Sequence, residues 1–508
     1  MAAAIEAWAR ILRRLPVAVK RRGSGVNPRR LLVGALAPCG ALVSSDDRLY
    51  DPGEARSRGV GAQGDVMSKF EYFSGLPEAG IVPRAPHAGP LLRSLYEQEH
   101  GRGGFAGRVS HTYHLYPPTN WLADESRALD AASWAPSWSS PLRPLGGVHH
   151  ALAVMAPTAP RDVYRGMARL VANATVAMNV TAPRAPMDYF FEHHAATLVF
   201  FVHQGAGTVE TTFGPLEYRR GDFLVIPKGI THRFELAPGP QYYWVYESFL
   251  GDPEKSEAPT TGQFIPHSRS DYRFPRSLDT RNEEGRFEIV SAIDGLLTRR
   301  VHPTHPFDVV GWRGDYLPYK FAVEDVRPLM ADRSHVPPSG HTIFKLPGCY
   351  ICIFTVRRAE REAMWVPFFH KNLDYLETIG YHFGDFFSGG GAVHEGMVTV
   401  HPVGLPHGPK PAALEKFLDG ARPERFDEVG VMADLANPAQ ISEFALSLSR
   451  PGYMASWGRY ATEARFAYRG DRLAEVRAAA EQCADARDEL RPRTGDDGST
   501  LSSGKDPR

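Results

Sequence analysis

The sequence predicts a mainly β protein: a duplicated jelly-roll barrel with a β-rich N-terminal region and a helical C-terminal segment. Three observations carry that prediction. Gly and Pro are abundant, at 48 and 42 of 508 residues, which favours turns and short strands over long helices. Residues 190–250 hold strand patterns separated by turn signals: TLVFFVHQG, GTVETTFG, LEYRRGDFLVIPKGITHRFEL and YYWVYES. The same punctuation returns from about 340 to 410, and two β units of similar design suggest a repeated barrel.

Taken in order, residues 1–66 differ from the rest. They are rich in Ala, Gly and Arg (Arg13, Arg14, Arg21, Arg22, Arg29, Arg30) and almost free of acids before Asp46. Leu31 to Val43 is an apolar run behind a basic stretch, the layout of a secretory signal; an Arg-rich, acid-poor leader also suits an organellar transit peptide. The run is too short to span a bilayer as a helix. Nothing downstream requires an oxidising compartment, so residues 1–66 are expected to be a disordered extension or sequence upstream of a true start at Met67. From Met67 to about residue 165, TYHLYPPTNW and ASWAPSWSSPL combine aromatics with turn residues and little helical period, which reads as β and loop. Residues 67–255 are thus expected to form an N-terminal β-rich domain that includes a degenerate barrel, and 256–415 a second barrel carrying the chemistry. PAALEKFLDG and DRLAEVRAAAEQCADARDEL read as helices separated by loop and place a helical segment at 416–485. Residues 486–508 lack apolar side chains to bury and are expected to be disordered.

Composition removes several function classes. A hydrophobic share of 43% with 23% charged residues is ordinary for a soluble globular chain, and the length allows two or three domains with a large core. Lys+Arg and Asp+Glu both total 58, so no electrostatic footprint points to nucleic acid or an anionic membrane. No apolar run is long enough for a transmembrane helix. Cys39, Cys349, Cys352 and Cys483 are too few for a disulfide framework. The C-x-x-C of Cys349 and Cys352 lies inside CYICIFTV and reads as a buried strand before a zinc or redox site. The expected compartment is reducing, the cytoplasm.

The chemistry concentrates in residues 366–409, VPFFHKNLDYLETIGYHFGDFFSGGGAVHEGMVTVHPVGLPHGP. Small metal-binding barrels of the cupin architecture present His-x-His and a following Glu from one strand, then a further His from a returning strand after a Pro-Gly turn. Residues i and i+2 of a strand share a face, so such ligands can look into one barrel. Here the first half reads His370-Lys371-Asn372, four residues, then Glu377, with Asn372 where a second His would stand. The return segment offers His401 and His407. Either could be the second imidazole; His407, fixed between Pro406 and Pro409, is the better ligand, which leaves His401 for the surroundings of the metal or the substrate. Two imidazoles and one carboxylate suit Fe(II), with one face of the metal left open for substrate and dioxygen, more than a structural zinc. An isolated His is normally a satisfied polar residue. Seven of the 20 His (335, 341, 370, 382, 394, 401 and 407) fall within 73 residues, and that crowding favours a site. Asp374 is the rival carboxylate. His335, in RSHVPPSGHTIF, is a candidate proton acceptor on a loop stiffened by Pro-Pro, with His341 its rival. In the first barrel, PKGITH (227–232) is the return half of the same grammar, but His193 and His194 are adjacent and point to opposite faces of a strand. That barrel is read as a metal-free scaffold.

FDVVGWRGDYLPYKF (307–321), SHVPPS, FFHKN, SGGGAVHEG and LPHGP together resemble the homogentisate 1,2-dioxygenase family in its bacterial branch. The likeness runs from about Met67 to about residue 460. It implies a bicupin that uses Fe(II) and dioxygen to open the ring of homogentisate, giving maleylacetoacetate in tyrosine and phenylalanine catabolism. It implies iron ligands at His370, Glu377 and His407, a proton-accepting His335, and a substrate surrounded by His401, His407, Tyr381 and Phe386. It implies a small aromatic substrate as partner and a homo-oligomer, a trimer or hexamer. Two positions depart from the pattern: Glu377 follows the first His by seven residues where the family has six, and Phe386 stands where the family has a substrate-contacting Tyr, with Tyr381 off register. Both bear on the substrate. The alternatives are a paralogous dioxygenase acting on another hydroquinone or phenolic carboxylate, and a non-catalytic metal-binding bicupin.

Overall fold

Strands that read as unbroken apolar runs, with no alternation, must be buried on both faces, and the fold is built around a sheet of such strands. The structure, a computed structural model, describes residues 76–83, 94–104, 106–153, 160–255, 271–293, 295–328, 341–358, 368–386, 389, 391–420 and 424–489. The chain divides into residues 1–66 and 67–508, and every described residue lies in the second part; the expectations for the leader and for residues 490–508 lie outside the described residues.

The two-sided sheet has nine strands, in spatial order Tyr272–Arg273, Tyr319–Ala322, Asp222–Ile226, Thr197–Gln204, Tyr242–Ser248, Val176–Thr181, Ala168–Ala172, Gln440–Ser442 and Leu142–Pro144. Strand alternation sorts its side chains into two separate cores. Leu198, Phe200, Leu224, Tyr243 and Val245 pack with Phe191, Val209, Phe234 and Val290 of a seven-stranded sheet on one side. Val199, Phe201, Phe223, Val225, Trp244 and Tyr246 pack with Ile351, Ile353, Leu376, Val431, Ala433 and Leu435 of another seven-stranded sheet on the other. The register Phe200↔Val245 and Phe201↔Trp244 keeps like faces together. The mainly β class is therefore observed, as three stacked layers of strand. A four-stranded sheet, in order Glu78–Gly80, Val309–Gly314, Val109–His114 and Tyr96–Gly101, adds to it.

The third layer positions the site. Its order is Glu254–Lys255, His341–Leu346, Cys349–Phe354, Glu428–Ala436, Tyr375–Gly384, Val398–His401 and His150–Leu152. Cys349 and Cys352 are buried free thiols in one of these strands. Gly380 lets the layer close on its neighbour: a Cβ there would lie 2.6 Å from Trp244 Cζ3. Gly380→Ala is expected to cost about 1–3 kcal/mol through overpacking, read as a lower urea midpoint than that of the parent chain.

Two expected boundaries are corrected by this arrangement. The first barrel does not end at 255: Tyr272–Arg273 and Tyr319–Ala322 extend the nine-stranded sheet, and Glu284–Ile293 pairs in parallel with Phe190–His193. The second does not end at 415, because Glu428–Ala436 sits between Cys349–Phe354 and Tyr375–Gly384. Pairing partners distant in sequence leave no local signal, and EVGVMADLA is flanked by polar and turn residues that made it read as loop. The helical part of the C-terminal region is correspondingly modest, mainly Pro411–Leu418 and Arg472–Glu489. Among the described residues no helix is long and apolar enough to cross a membrane.

Candidate metal centre

Alternation along Tyr375–Gly384 turns Leu376 and Thr378 inward and sends Tyr375, Glu377, Ile379 and Tyr381 to the outer face of the third layer, where they line a cavity of about 580 Å³. The neighbouring strands do the same with Asp434 and Cys352. Glu377 is paired with His401 on one side and Asp434 on the other. His370 and His407 arrive on a single antiparallel bridge, N to O at 2.9 and 3.0 Å; Pro406 and Pro409 have no N–H to continue a ladder, so the bridge stays isolated. Asn372 accepts the amide N–H groups of Asp374 and Tyr375 at 3.3 and 3.0 Å, and this Asx turn starts the Glu377 strand. The position where the metal-binding pattern has a second His therefore makes a turn.

The donor atoms converge. Glu377 Oε2 lies 3.5 Å from His370 Nε2, and Oε1 lies 3.2 Å from His407 Nε2 and 3.4 Å from His401 Nδ1. His370, Glu377 and His407 each offer one ligand atom within 4.8 Å of the others. The far ring nitrogens are tied to backbone carbonyls, His370 Nδ1 to Phe368 O at 3.2 Å and His407 Nδ1 to Leu405 O at 3.3 Å. Those contacts point both Nε2 atoms at the carboxylate. That orientation is the one metal-binding imidazoles take. Burial opposes charge on Glu377, but hydrogen bonds from the three imidazoles hold its carboxyl well below the usual range. Burial and the adjacent Glu377 push Asp434 well above it, and its buried Oδ1 has no hydrogen-bond partner among the described residues. A buried orphan acceptor beside a carboxylate fits a site built for a metal ion, and His370, Glu377 and His407 could hold one.

The other expected site residues fall as follows. His401 is buried, and burial draws its pKa down to about 3; its Nε2 is 3.3 Å from Tyr453 Oη. Tyr381 is buried with its hydroxyl 3.3 Å from Thr399 Oγ1, and Phe386 packs edge-on to it at 4.7 Å between centroids; both line the cavity. Asp374 is exposed and apart from the cluster. His335 lies outside the described residues, and His341 opens the His341–Leu346 strand. Sequence reasoning missed Lys410, Tyr453, Trp457 and Asp434, which all line the cavity, and His149, whose ring packs 5.2 Å from His401 and 5.6 Å from His407. Only Lys410 carried a local signal, since it directly follows the P-H-G-P segment.

The first barrel's polar side chains bind one another. His193 Nε2 lies 2.8 Å from Glu247 Oε1, while Arg169, Asn179 and Trp138 donate to Oε2 at 2.7, 2.8 and 3.1 Å. His232 contacts the Tyr164 hydroxyl through Nε2 and donates from Nδ1 to Ile230 O.

Residues 119–323 match a family model described as homogentisate 1,2-dioxygenase N-terminal, a span that lies before the metal centre. A Saccharolobus solfataricus protein named as a dioxygenase is 29% identical over 390 residues, 74% of this chain and 97% of its own. The homogentisate 1,2-dioxygenase of Rhodopseudomonas palustris is 25% identical over 319 residues, 60% of this chain and 69% of its own. Among solved structures, a cupin 2 conserved barrel domain protein from Leptotrichia buccalis covers 55% of this chain and 92% of its own at 10% identity, with a TM-score of 0.27. By the matched N-terminal model and these relatives, the chain is similar to the homogentisate 1,2-dioxygenase family.

Proposed function

We propose that the protein is an Fe(II)-dependent dioxygenase that opens the ring of homogentisate to give maleylacetoacetate, in the cytoplasm and as a homo-oligomer. The observation that carries the reading is the convergence of His370, Glu377 and His407 on one point of a cavity of about 580 Å³ with aromatic walls. Bound there, Fe(II) supplies a charged template at which an aromatic substrate and dioxygen can be brought together.

The chain supplies orientation and proton control. Burial pushes the Tyr453 phenol well up and His401 down to about 3, so Tyr453 O–H donates to a neutral His401 Nε2 and His401 Nδ1–H donates to Glu377. This line of hydrogen bonds fixes the Glu377 carboxylate for its ligand role. Tyr381 and Phe386, edge to face, form a wall against which an aromatic ring can stack. His335 is the proposed base that takes a proton from a ring hydroxyl.

Protein purified without oxygen, loaded with Fe(II) and given homogentisate is expected to consume one dioxygen per substrate and release the yellow ring-opened product. Metal bound without oxygen uptake on homogentisate, gentisate or related dihydroxyaromatics would leave a binding protein and sink the enzyme reading. Phe386, with no hydroxyl to offer in this wall, favours as second reading a related hydroquinone carboxylate. Relative kcat/KM across those substrates separates the two.

A further inference from the structure

Among the described residues, Lys410 is a buried amine without a counter-ion. It stands at the N-terminal end of the Pro411–Leu418 helix, is 5% exposed, and lines the same cavity as His370, Glu377 and His407. Its Nζ lies over the ring of Trp457 and 4.0 Å from the ring centroid of Tyr453, and donates one hydrogen bond, to Tyr453 O at 3.4 Å. Among the described residues no carboxylate forms an ion pair with it. Glu377 is already engaged by three imidazoles, and Glu428, at another part of the lining, is paired with Arg357.

An ammonium taken out of water and left with one weak acceptor is costly, and aromatic faces offset only part of that cost. Burial accordingly draws its pKa down to about 6. Among the described residues two of its three N–H donors have no hydrogen-bond acceptor. Lysine is a compact point charge with freely placed donors, suited to meeting an anion at the end of a pocket. A cavity with a metal-binding triad on one strand and a lone ammonium nearby is built for a ligand with a metal-binding group and a separate anion.

We propose that Lys410 is the specificity residue that pairs with the substrate's carboxylate, so that the cavity selects dihydroxyaromatics carrying an anionic side group over neutral ones. The inference rests on the dioxygenase reading for taking this cavity as the substrate site, but it is tested by binding, without turnover.

The full chain is loaded with Fe(II) under anaerobic conditions and titrated by calorimetry with homogentisate and with methylhydroquinone, which keeps both hydroxyls and lacks the carboxylate. The parent protein is expected to prefer homogentisate. Lys410→Met is expected to weaken homogentisate binding by roughly ten- to a hundred-fold, the loss of a charge-assisted hydrogen bond, while methylhydroquinone binding stays within about two-fold. Lys410→Arg, which keeps the charge, is expected to recover part of the loss. Metal content and melting temperature of the three proteins guard against misfolding. Absence of any preference in the parent protein, weak binding of both ligands included, would overturn the proposal, as would equal weakening of both ligands in Lys410→Met. A parent protein that prefers homogentisate through Lys410 yet consumes no oxygen would defeat the dioxygenase reading and leave this one standing.

Discussion

Glu377→Gln is expected to abolish tight Fe(II) loading and to lower oxygen uptake by on the order of a thousand-fold or more, about 4 kcal/mol of lost metal-derived stabilisation. The substitution keeps the shape and removes the charge. A carboxylate accepts at both oxygens, and here both are used, Oε2 by His370 and Oε1 by His401 and His407. An amide offers one acceptor oxygen, and its NH2 needs an imidazole in the tautomer that presents a lone pair. The variant is therefore expected to remain folded, its metal-free stability within about 1–2 kcal/mol of the parent, because the amide can donate where the carboxylate could not. Metal analysis beside an oxygen electrode reads both parts. Asp434→Asn is the control: burial and Glu377 already favour a neutral Asp434, so its loss of ionisable character should leave metal content intact. Full metal loading in Glu377→Gln, or loss of metal in Asp434→Asn alone, would move the ligand role to Asp434.

The features readable in the sequence are those with a local cause. The apolar runs TLVFFV and YYWVY name strands buried on both faces, and they are the middle of the two-sided sheet. His370, Glu377 and His407 share one short stretch of chain, so their spacing could be weighed, and the structure brings them together. What was illegible is non-local. The Glu428–Ala436 strand that carries Asp434, and Tyr453 and Trp457 beyond it, reach the cavity through folding of segments far from His370. His149 comes from the other direction, on the edge strand region that pairs with Val398–His401. Asn372 could be read only as a missing histidine; the turn it makes depends on backbone amides that no residue pattern displays. The division of the barrels failed for the same reason, since Tyr272–Arg273 and Tyr319–Ala322 join a sheet whose central strands come earlier in the chain.

Glu247→Ala is expected to be the most destabilising single change in the first barrel, about 3–5 kcal/mol, with metal content unchanged. Glu247 is 1% exposed and holds four donors: His193 on one oxygen, and Arg169, Asn179 and Trp138 on the other. Truncation would take the acceptor from the Trp138 indole and leave the Arg169 guanidinium and the Asn179 amide with only their longer bonds, to Asn179 Oδ1 at 3.3 Å and Val245 O at 3.4 Å, and the cost comes from those weakened groups more than from the pair itself. Burial alone would raise the Glu247 pKa, but Arg169 and the His193 hydrogen bond outweigh it and hold it at about 2, below the ordinary 4.5. A folded-state pKa below the unfolded one gives stability that is complete above about 4.5 and is lost as pH falls toward 2. The difference between parent and variant should therefore be constant near neutrality and shrink through that window. Urea unfolding at pH 7 and at stepwise lower pH measures both. The site on the third layer uses none of these side chains, so Fe(II) content at room temperature should match the parent. A cost below about 1 kcal/mol, or a difference that grows as pH falls, would show that water or a rearranged Asn179 takes over the acceptor role, and that the first barrel does not depend on this buried carboxylate.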